Sequence, residues 1–263
     1  MRFARVNGQH IEAFLGASGE CPGCGSLLIS KCGKKRVWHW AHKGVGFCDP
    51  WWENESDWHR AWKDQFPVDW QEVVHDAADG QRHIADVKTA TGWVLEFQHS
   101  ALSSEERGSR EEFYEALVWV VDGLRRKRDA RQFFGVYRNG EKSADPQSTK
   151  CRISMPKGAL FEDWRQSRAH VFFDFGEQTR IWWLYPGSDA VRAYVQAVSR
   201  SEFIRAQRER TADNSTRFDF LVQNFSAFVA KFEKPPPAPR PSRRTGAPGA
   251  PRPVRINVRC FRL

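Results

Sequence analysis

The chain has 263 residues, of which 40% are hydrophobic and 28% are charged, a composition typical of one folded domain of ordinary size or two small ones. Its apolar runs fall far short of the ~20 residues that cross a bilayer, and Glu12 and Glu20 interrupt the region where a signal peptide would be apolar. We therefore expect a cytoplasmic protein with no membrane partner. Its six cysteines should be reduced thiols, in the core or as metal ligands.

The net charge of +9 lies mostly at the C-terminus. Residues 235–263 hold seven arginines, eight prolines and no acidic residue, which leaves +2 for residues 1–234. We predict a disordered Pro/Arg-rich tail, because this composition cannot bury enough apolar surface to fold alone. The overall basicity is therefore weak support for nucleic-acid binding by the body of the protein.

The composition of the remaining chain changes near residue 50. Residues 1–50 are rich in glycine, cysteine and histidine, whereas residues 51–234 alternate helical and strand patterns and end with two aromatic strands and a helix. We predict a small N-terminal module and a larger domain with these boundaries. The aromatic strands, residues 171–175 and 180–185, are assigned to the core rather than to base stacking.

A first helix is predicted from Pro50 to Phe66, because proline favours the first helical turn and Pro67 would end the helix. Spacings of four and seven residues place side chains on common faces of this helix. The apolar stripe consists of Trp51, Trp58 and Trp62, and the neighbouring polar stripe consists of Glu55, His59 and Lys63.

Three strand patterns follow the first helix. They lie at residues 71–75, 82–88 and 92–98, and residues 89–92 form a turn between the last two.

A second helix and a fourth strand complete the predicted sheet. Ser103 and Glu106 form a capping box for a helix that ends near Leu117, and an apolar strand follows at residues 118–121. A helix between two strands is typical of a parallel crossover. The predicted fold class is therefore α/β, with a mixed sheet flanked by helices.

The N-terminal module contains residues of the types that bind zinc. Cys21 and Cys24 flank a Pro-Gly knuckle, and a second group of donors, His39, His42 and Cys48, begins fifteen residues after Cys24. Zinc takes four soft or borderline donors, so two of the second group would complete a structural site. A β-strand through the His-Trp-Ala-His segment would place its histidines on opposite faces, which favours His42 with Cys48.

Two acidic residues are predicted to meet on the sheet. Asp86 and Glu96 lie on strands joined by one short turn, so antiparallel pairing brings their carboxylates within reach of one cation. Such oxygen ligands suit Mg²⁺ or Mn²⁺, which can polarise a phosphodiester and activate water for hydrolysis. Glu55 could add a ligand, and Lys63 could offset the charge that develops on the phosphate.

Several motifs occur in the order typical of a known family. They are Cys21-Pro22-Gly23-Cys24, His39-Trp40-Ala41-His42, Glu55-Ser56 with His59 and Lys63, Ala85-Asp86-Val87, Glu96-Phe97-Gln98 with Ser100, and Arg110 with Tyr114. On these motifs the sequence resembles the competence protein CoiA-like family, which joins a zinc-binding module to a nuclease core of the PD-(D/E)XK superfamily. The resemblance implies a restriction-endonuclease-like fold, DNA as substrate, Asp86 and Glu96 as metal ligands and Glu55 as an accessory acid.

The chain departs from the general superfamily motif at Gln98, where that motif ends in lysine. CoiA-like proteins resemble one another in having glutamine here. Gln98 can position a water molecule but carries no charge, so Lys63 or Lys88 would have to supply it. We favour Lys63, which shares a helix face with Glu55, although Lys88 lies on the same strand face as Asp86.

Four further residues are candidate accessory groups. His59 could contact phosphate or transfer a proton, and Ser100 could form a hydrogen bond near a strand end. Arg110 and Tyr114 could contact the DNA backbone. The alternatives are a His59 that a neighbouring side chain satisfies, and a simple surface pair of Arg110 and Tyr114 on the second helix.

These predictions together describe a metal-dependent DNA nuclease, a hydrolase with Mg²⁺ or Mn²⁺ at the active site and a structural Zn²⁺. It would cut phosphodiester bonds as an endonuclease or deoxyribonuclease in DNA processing, uptake or recombination. The alternative is a catalytically inactive, zinc-containing nucleic-acid-binding protein of the same fold. The two differ in whether Asp86, Glu96 and a lysine ammonium group converge.

Overall fold

The computed structural model describes residues 1–44, 48–49, 51, 55–76, 80–209 and 216–233. Residues 1–232 form one compact unit. Over the described ranges, two β-sheets and six α-helices are present, which confirms the predicted α/β class. The predicted tail at residues 235–263 lies outside these ranges.

Five short strands form the N-terminal sheet. They are β1 (Phe3–Val6), β2 (Gln9–Glu12), β3 (Ser18–Glu20), β4 (Leu27–Lys31) and β5 (His39–His42). The sheet is antiparallel, with the strand order β2-β1-β3-β4-β5. Its small core contains Ala4, Leu28 and Trp40, and Ile84 of the larger sheet packs against this core.

Nine strands form the larger sheet. They are β6 (Gln71–Asp76), β7 (Arg82–Lys88), β8 (Val94–Gln98), β9 (Leu117–Asp122), β10 (Glu141–Lys142), β11 (Cys151–Ser154), β12 (His170–Asp174), β13 (Arg180–Leu184) and β14 (Arg192–Ser199). Their spatial order is β10-β11-β14-β13-β12-β9-β8-β7-β6. Strand β9 is parallel to β8 and β12, and the other neighbours are antiparallel, so the sheet is mixed as predicted.

Helices pack on both faces of this sheet. They are α1 (Asp57–Lys63), α2 (Ser104–Phe113), α3 (Asp129–Arg138), α4 (Ala159–Trp164), α5 (Arg200–Arg208) and α6 (Arg217–Glu233). Alternate side chains of β9 enter two cores, one that contains Trp119 with Phe133 of α3 and one that contains Val118 with Trp62 of α1. None of the helices in the described part of the chain has the length and apolar character of a membrane span.

The predicted aromatic strands belong to the core. Phe172 of β12 and Trp183 of β13 are almost completely buried, and their rings stack on each other. Burial of such large rings contributes strongly to packing, which agrees with the predicted core assignment.

Helix α2 begins at the predicted capping box and forms the predicted crossover. Ser103 Oγ accepts a hydrogen bond from the Glu106 amide at 3.0 Å, and the helix links the parallel strands β8 and β9. It ends at Phe113 rather than near Leu117, because Leu117 already pairs with Val94 as the first residue of β9.

The first helix is shorter than predicted. Ser56 is its N-cap, and the Ser56 side chain accepts a hydrogen bond from the His59 amide. A serine cap that satisfies a free amide of the first turn sets a helix start, so Glu55 precedes the helix. The predicted start at Pro50 lies outside the described residues.

The predicted tryptophan stripe is correct for two of its three members. Trp58 and Trp62 both donate their indole N–H groups to Asp174 Oδ2, at 3.1 and 2.9 Å. Trp51 is not on this helix, and its ring stacks on His83 of β7 instead.

Candidate active site and metal cluster

Three cysteines and one histidine of the N-terminal module converge in a cluster of Cys21, Cys24, His42 and Cys48. Their ligand atoms all lie within 4.8 Å of one another. Cys21 Sγ is 3.5 Å from Cys48 Sγ, and Cys24 Sγ is 3.3 Å from His42 Nε2. A tetrahedral zinc ion with Zn–S bonds of about 2.3 Å would hold its sulfur ligands roughly 3.8 Å apart. The cluster could therefore bind zinc.

His39 lies outside this cluster, because β5 directs it to the other side of the strand from His42. Its Nδ1 donates a hydrogen bond to the Val37 carbonyl at 2.9 Å. The structure thus selects the alternative in which His42 and Cys48 complete the set.

The cysteine knuckle is a tight backbone turn. The Cys21 amide donates to the Ser26 carbonyl and the Gly25 amide to the Cys21 carbonyl, both at 2.9 Å. Gly25 has a φ of +74°, which favours glycine. Burial opposes ionisation of Cys24, but hydrogen bonds from Ser26 and His42 outweigh it and lower the thiol pKa to about 6. The thiolate is the form that binds metal.

The cluster rests on the strand that carries Asp86. Asp49 Oδ2 accepts a hydrogen bond from the Ile84 amide at 2.8 Å, and Arg82 donates to the Gly23 carbonyl of the knuckle at 2.6 Å. These contacts join the N-terminal module, which contains the Cys–His cluster, to β7, the strand that carries Asp86.

Asp86 and Glu96 lie side by side on neighbouring strands. The pairing of Val87 with Leu95 sets them opposite each other. Glu96 Oε1 accepts a hydrogen bond from the Asp86 amide at 3.3 Å, and Asp86 Oδ2 accepts one from the Phe97 amide at 2.9 Å. The structure brings the predicted pair together, while metal binding by this pair stays a prediction.

The two carboxylates have opposite pKa shifts. Burial raises the pKa of both groups. For Asp86, His59 and Lys63 outweigh burial and hold the pKa at about 2. For Glu96, burial and the negative charge of Asp86 outweigh Arg110 and raise the pKa well above its usual value. A cation between the two carboxylates would favour the ionised form of Glu96.

Lys63 extends from α1 into this acidic site. Its Nζ lies 2.6 Å from Glu55 Oε1, 2.9 Å from Glu72 Oε1 and 3.9 Å from Asp86 Oδ1. Burial opposes its charge, but these carboxylates outweigh burial and raise the pKa of Lys63 above its ordinary value. Lys63 therefore stays an ammonium group. Lys88 is exposed and does not line the cavity that Asp86 and Lys63 share, so the lysine paired with Asp86 among the described residues is Lys63.

The five predicted catalytic residues border a single cavity of about 440 Å³. They are Glu55, Lys63, Asp86, Glu96 and Gln98. His42 and Cys48 of the Cys–His cluster line the same cavity. In the described ranges, that cluster is the one group of three or more Cys, His, Asp or Glu donors this close together. A cation held by Asp86 and Glu96 would complete its coordination with water or substrate oxygens.

Residues 15–49 match the family model described as competence protein CoiA, N-terminal domain. This segment is similar to the CoiA N-terminal domain. The match includes all four residues of the Cys–His cluster and confirms the CoiA-like resemblance over this segment. It does not extend to Asp86 or Glu96, so the nuclease core stays a prediction. Comparison with curated proteins and with solved structures gave no match.

Glu72 connects the start of the N-terminal sheet to the predicted catalytic lysine. Its Oε1 accepts a hydrogen bond from the Arg2 amide at 2.6 Å, and its Oε2 accepts one from the Phe3 amide at 2.9 Å. The same carboxylate binds Lys63, and Glu72 has a φ of +51°. Sequence analysis missed this residue, because an acid at a strand start is an ordinary pattern.

The Glu72→Gln variant is expected to lose about 3–5 kcal/mol of stability at pH 7, the usual cost of breaking a buried ion pair. The pKa of Glu72 is about 2, because Lys63 and the backbone amides outweigh burial, against an ordinary value of 4.5. Its stabilisation is therefore present above pH 4.5 and is lost as pH falls towards 2. Urea unfolding of both proteins from pH 7 to pH 3 measures the difference, which should shrink with acidity.

Glu141→Gln is the matched control for this prediction. The Glu141 side chain is 59% exposed and pairs with Arg152 at 3.3 Å, so its loss should cost less than about 1 kcal/mol. Equal losses in the two variants would contradict the role assigned to Glu72.

Arg110 and Tyr114 are buried, so the interpretation as a surface pair is wrong. Helix α2 turns this side towards the sheet, and the two side chains are 3% and 4% exposed. The Arg110 guanidinium lies 3.2 Å from Glu96 Oε2, and both residues line the cavity. Arg110 therefore orients Glu96, while a DNA contact within the cavity stays a prediction.

His59 and Ser100 form hydrogen bonds within the site. His59 is buried, and its Nε2 lies 2.8 Å from Asp86 Oδ2. A neighbouring side chain thus satisfies one ring nitrogen, whereas Nδ1 is buried with no hydrogen-bond partner among the described residues. Gln98 Nε2 donates to Ser100 Oγ at 3.2 Å. Ser100 thus forms a hydrogen bond near the end of β8, as predicted.

Proposed function

We propose that this protein is a metal-dependent DNA nuclease. The observation that supports this most is the convergence of Asp86, Glu96 and the Lys63 ammonium group at one cavity. Two acids on adjacent strands, with a lysine that keeps its charge beside them, suit hydrolysis of a phosphodiester. The similarity to the CoiA N-terminal domain supports the family to which such a core would belong.

The donor set fits a hard divalent cation. Asp86 and Glu96 offer carboxylate oxygens, the ligands that Mg²⁺ and Mn²⁺ prefer. Without a cation, burial and the neighbouring charge of Asp86 disfavour ionisation of Glu96, as its raised pKa indicates. A bound Mg²⁺ or Mn²⁺ would supply Lewis-acid activation of the phosphodiester and of the attacking water.

Neighbouring side chains orient these two acids. His59 and the Phe97 amide both hold Asp86 Oδ2, which directs the other oxygen of that carboxylate towards Lys63 and the cavity. Arg110 holds Glu96 Oε2. Such outer contacts fix ligand geometry and typically affect metal affinity about 10–100-fold.

Lys63 and Gln98 take different roles in this proposal. The Lys63 ammonium places positive charge near Asp86, where it would stabilise negative charge that builds up on the phosphate. It is not a base, because its raised pKa keeps it protonated. Gln98, held by Ser100, can orient a water molecule through its amide group.

The alternative is a zinc-containing nucleic-acid-binding protein that does not cut. One observation favours it: Lys63 Nζ lies closer to Glu55 and Glu72 than to Asp86. Carboxylates this close offset much of the lysine charge before any phosphate arrives.

The test is DNA cleavage by the purified, zinc-loaded full chain. Supercoiled plasmid, linear duplex and single-stranded DNA are incubated with Mg²⁺, with Mn²⁺ or without added metal, and products are separated on gels. We expect cleavage with either metal and none without it. The metal-free reaction is prepared without added metal rather than with a chelator, because a chelator would also remove zinc. Glu96→Gln, purified in parallel, controls for contaminating nuclease. DNA binding without cleavage would instead support the alternative.

A further inference from the structure

The β4–β5 hairpin of the N-terminal sheet is strongly basic. Residues 30–44 contain four lysines, one arginine and no acidic residue, a net charge of +5. Residues 1–234 carry only +2 in total, so the rest of this region has a net charge of −3. The hairpin is therefore one of the most basic segments of the body, and residues 124–138 carry the same net charge of +5.

The basic side chains of the hairpin face solvent around a groove. Lys31, Lys34 and Lys35 are exposed and border an open groove of about 610 Å³. Trp38, at the start of the return strand, is 47% exposed. Clustered lysines beside an exposed aromatic ring are typical of nucleic-acid-binding surfaces.

The base of the hairpin is held in place by two contacts. His42, at the end of β5, belongs to the Cys–His cluster, and Arg60 of α1 donates a hydrogen bond to the Trp38 carbonyl. A surface that is already ordered loses less entropy when it binds a ligand.

The groove and the candidate active site lie on opposite faces of β5, since His39 lines the groove and His42 lines the cavity. Ala41 of β5 borders both the groove and the cavity, and its neighbours Trp40 and His42 line the cavity. A polyanion bound along the groove would therefore be separated from Asp86 and Glu96 by β5.

We propose that this hairpin binds the phosphate backbone of DNA. The inference rests on the proposed function and names the surface that binds its substrate. Lysine ammonium groups bind phosphates as point charges with little sequence preference. Each phosphate contact contributes about −0.9 to the slope of log affinity against log salt concentration.

The test is binding of a fluorescent duplex by the zinc-loaded full chain, measured by anisotropy over a range of KCl concentrations without Mg²⁺ or Mn²⁺. The triple variant Lys31→Gln, Lys34→Gln and Lys35→Gln should bind at least tenfold more weakly at low salt. Its salt slope should be shallower by about 2–3. The single variant Lys35→Gln should lower the slope by about 0.9, which keeps the test valid should the triple variant fail to fold.

A second triple variant of equal charge change is the control. Lys127, Arg128 and Arg131 are exposed at the start of α3, and their replacement by glutamine should change affinity less than the hairpin variant does. Equal losses in the two triple variants, or an unchanged salt slope in the hairpin variant, would overturn the proposal. Tighter binding of duplex RNA than of duplex DNA would overturn the assignment to DNA.

Cleavage assays separate this proposal from the proposed function. If the wild-type protein binds DNA through the hairpin but cuts no DNA, the proposed nuclease activity is contradicted and the hairpin proposal is still supported. If the wild-type protein cuts DNA, and the hairpin variant binds and cuts DNA equally well, only the hairpin proposal is contradicted.

Discussion

Asp86→Asn is expected to lower the rate of metal-dependent DNA cleavage by at least about 10²–10³-fold, the loss usual for one preorganised electrostatic group. Asparagine keeps the shape of the side chain and can still accept the hydrogen bond from the Phe97 amide. It removes the negative charge that would bind a cation opposite Glu96. Initial rates of plasmid nicking at saturating Mg²⁺ measure the effect.

Asp145→Asn is the matched control for this measurement. Asp145 is exposed in a loop and accepts a hydrogen bond from the Gln147 amide, which asparagine can also accept. Its cleavage rate should stay within about twofold of wild type, as for most surface substitutions. An Asp86→Asn protein that melts like wild type and cuts at the wild-type rate would contradict the site assignment.

Cys21→Ser is expected to lower the melting temperature by about 10–20 °C, because a structural zinc site contributes directly to folding free energy. The core of the N-terminal sheet is small, and small cores need a metal or a similar constraint. A loss of about 5 kcal/mol corresponds to such a shift, at about 2–4 °C per kcal/mol in a unit of this size. Differential scanning fluorimetry measures the shift, and elemental analysis measures zinc content.

Cys32→Ser is the control for the zinc prediction. Cys32 is half-buried and lies outside the Cys–His cluster, so its replacement should leave zinc content unchanged and shift melting by only about 2–4 °C, as for a loss near 1 kcal/mol. A wild-type protein that purifies without zinc, or equal melting shifts in both variants, would contradict a structural metal at the cluster.

We expect loss of zinc to disturb the active site as well, through the contacts that join the two sheets. Asp49 binds the Ile84 amide, and Glu72 binds both the N-terminal strand and Lys63. Release of the module would leave the Glu72 carboxylate without its two backbone donors. The Glu72 carboxylate would then compete more strongly with Asp86 for the Lys63 ammonium group.

Features that depend on a few neighbouring residues, such as strand limits, helix caps and side-chain alternation, could be predicted accurately from the sequence. The limits of β7 agree with the predicted strand, and the capping box at Ser103 marks the start of α2. The same holds for the choice of His42 over His39, which follows from side-chain alternation along β5. Competing local signals caused the error at α1, where the Ser56 cap outweighed a proline further upstream.

The sequence alone was sufficient for the fold class, the Cys–His cluster and the meeting of Asp86 with Glu96, because each depends on alternation, capping or short spacing. Tertiary structure alone decided that Arg110 is buried against Glu96 and that Glu72 belongs to the site. The sequence favoured Lys63 over Lys88, and the structure places Lys63 beside Asp86. These contacts join side chains from different helices and strands, so they depend on how those elements pack, and packing leaves no local pattern in the chain.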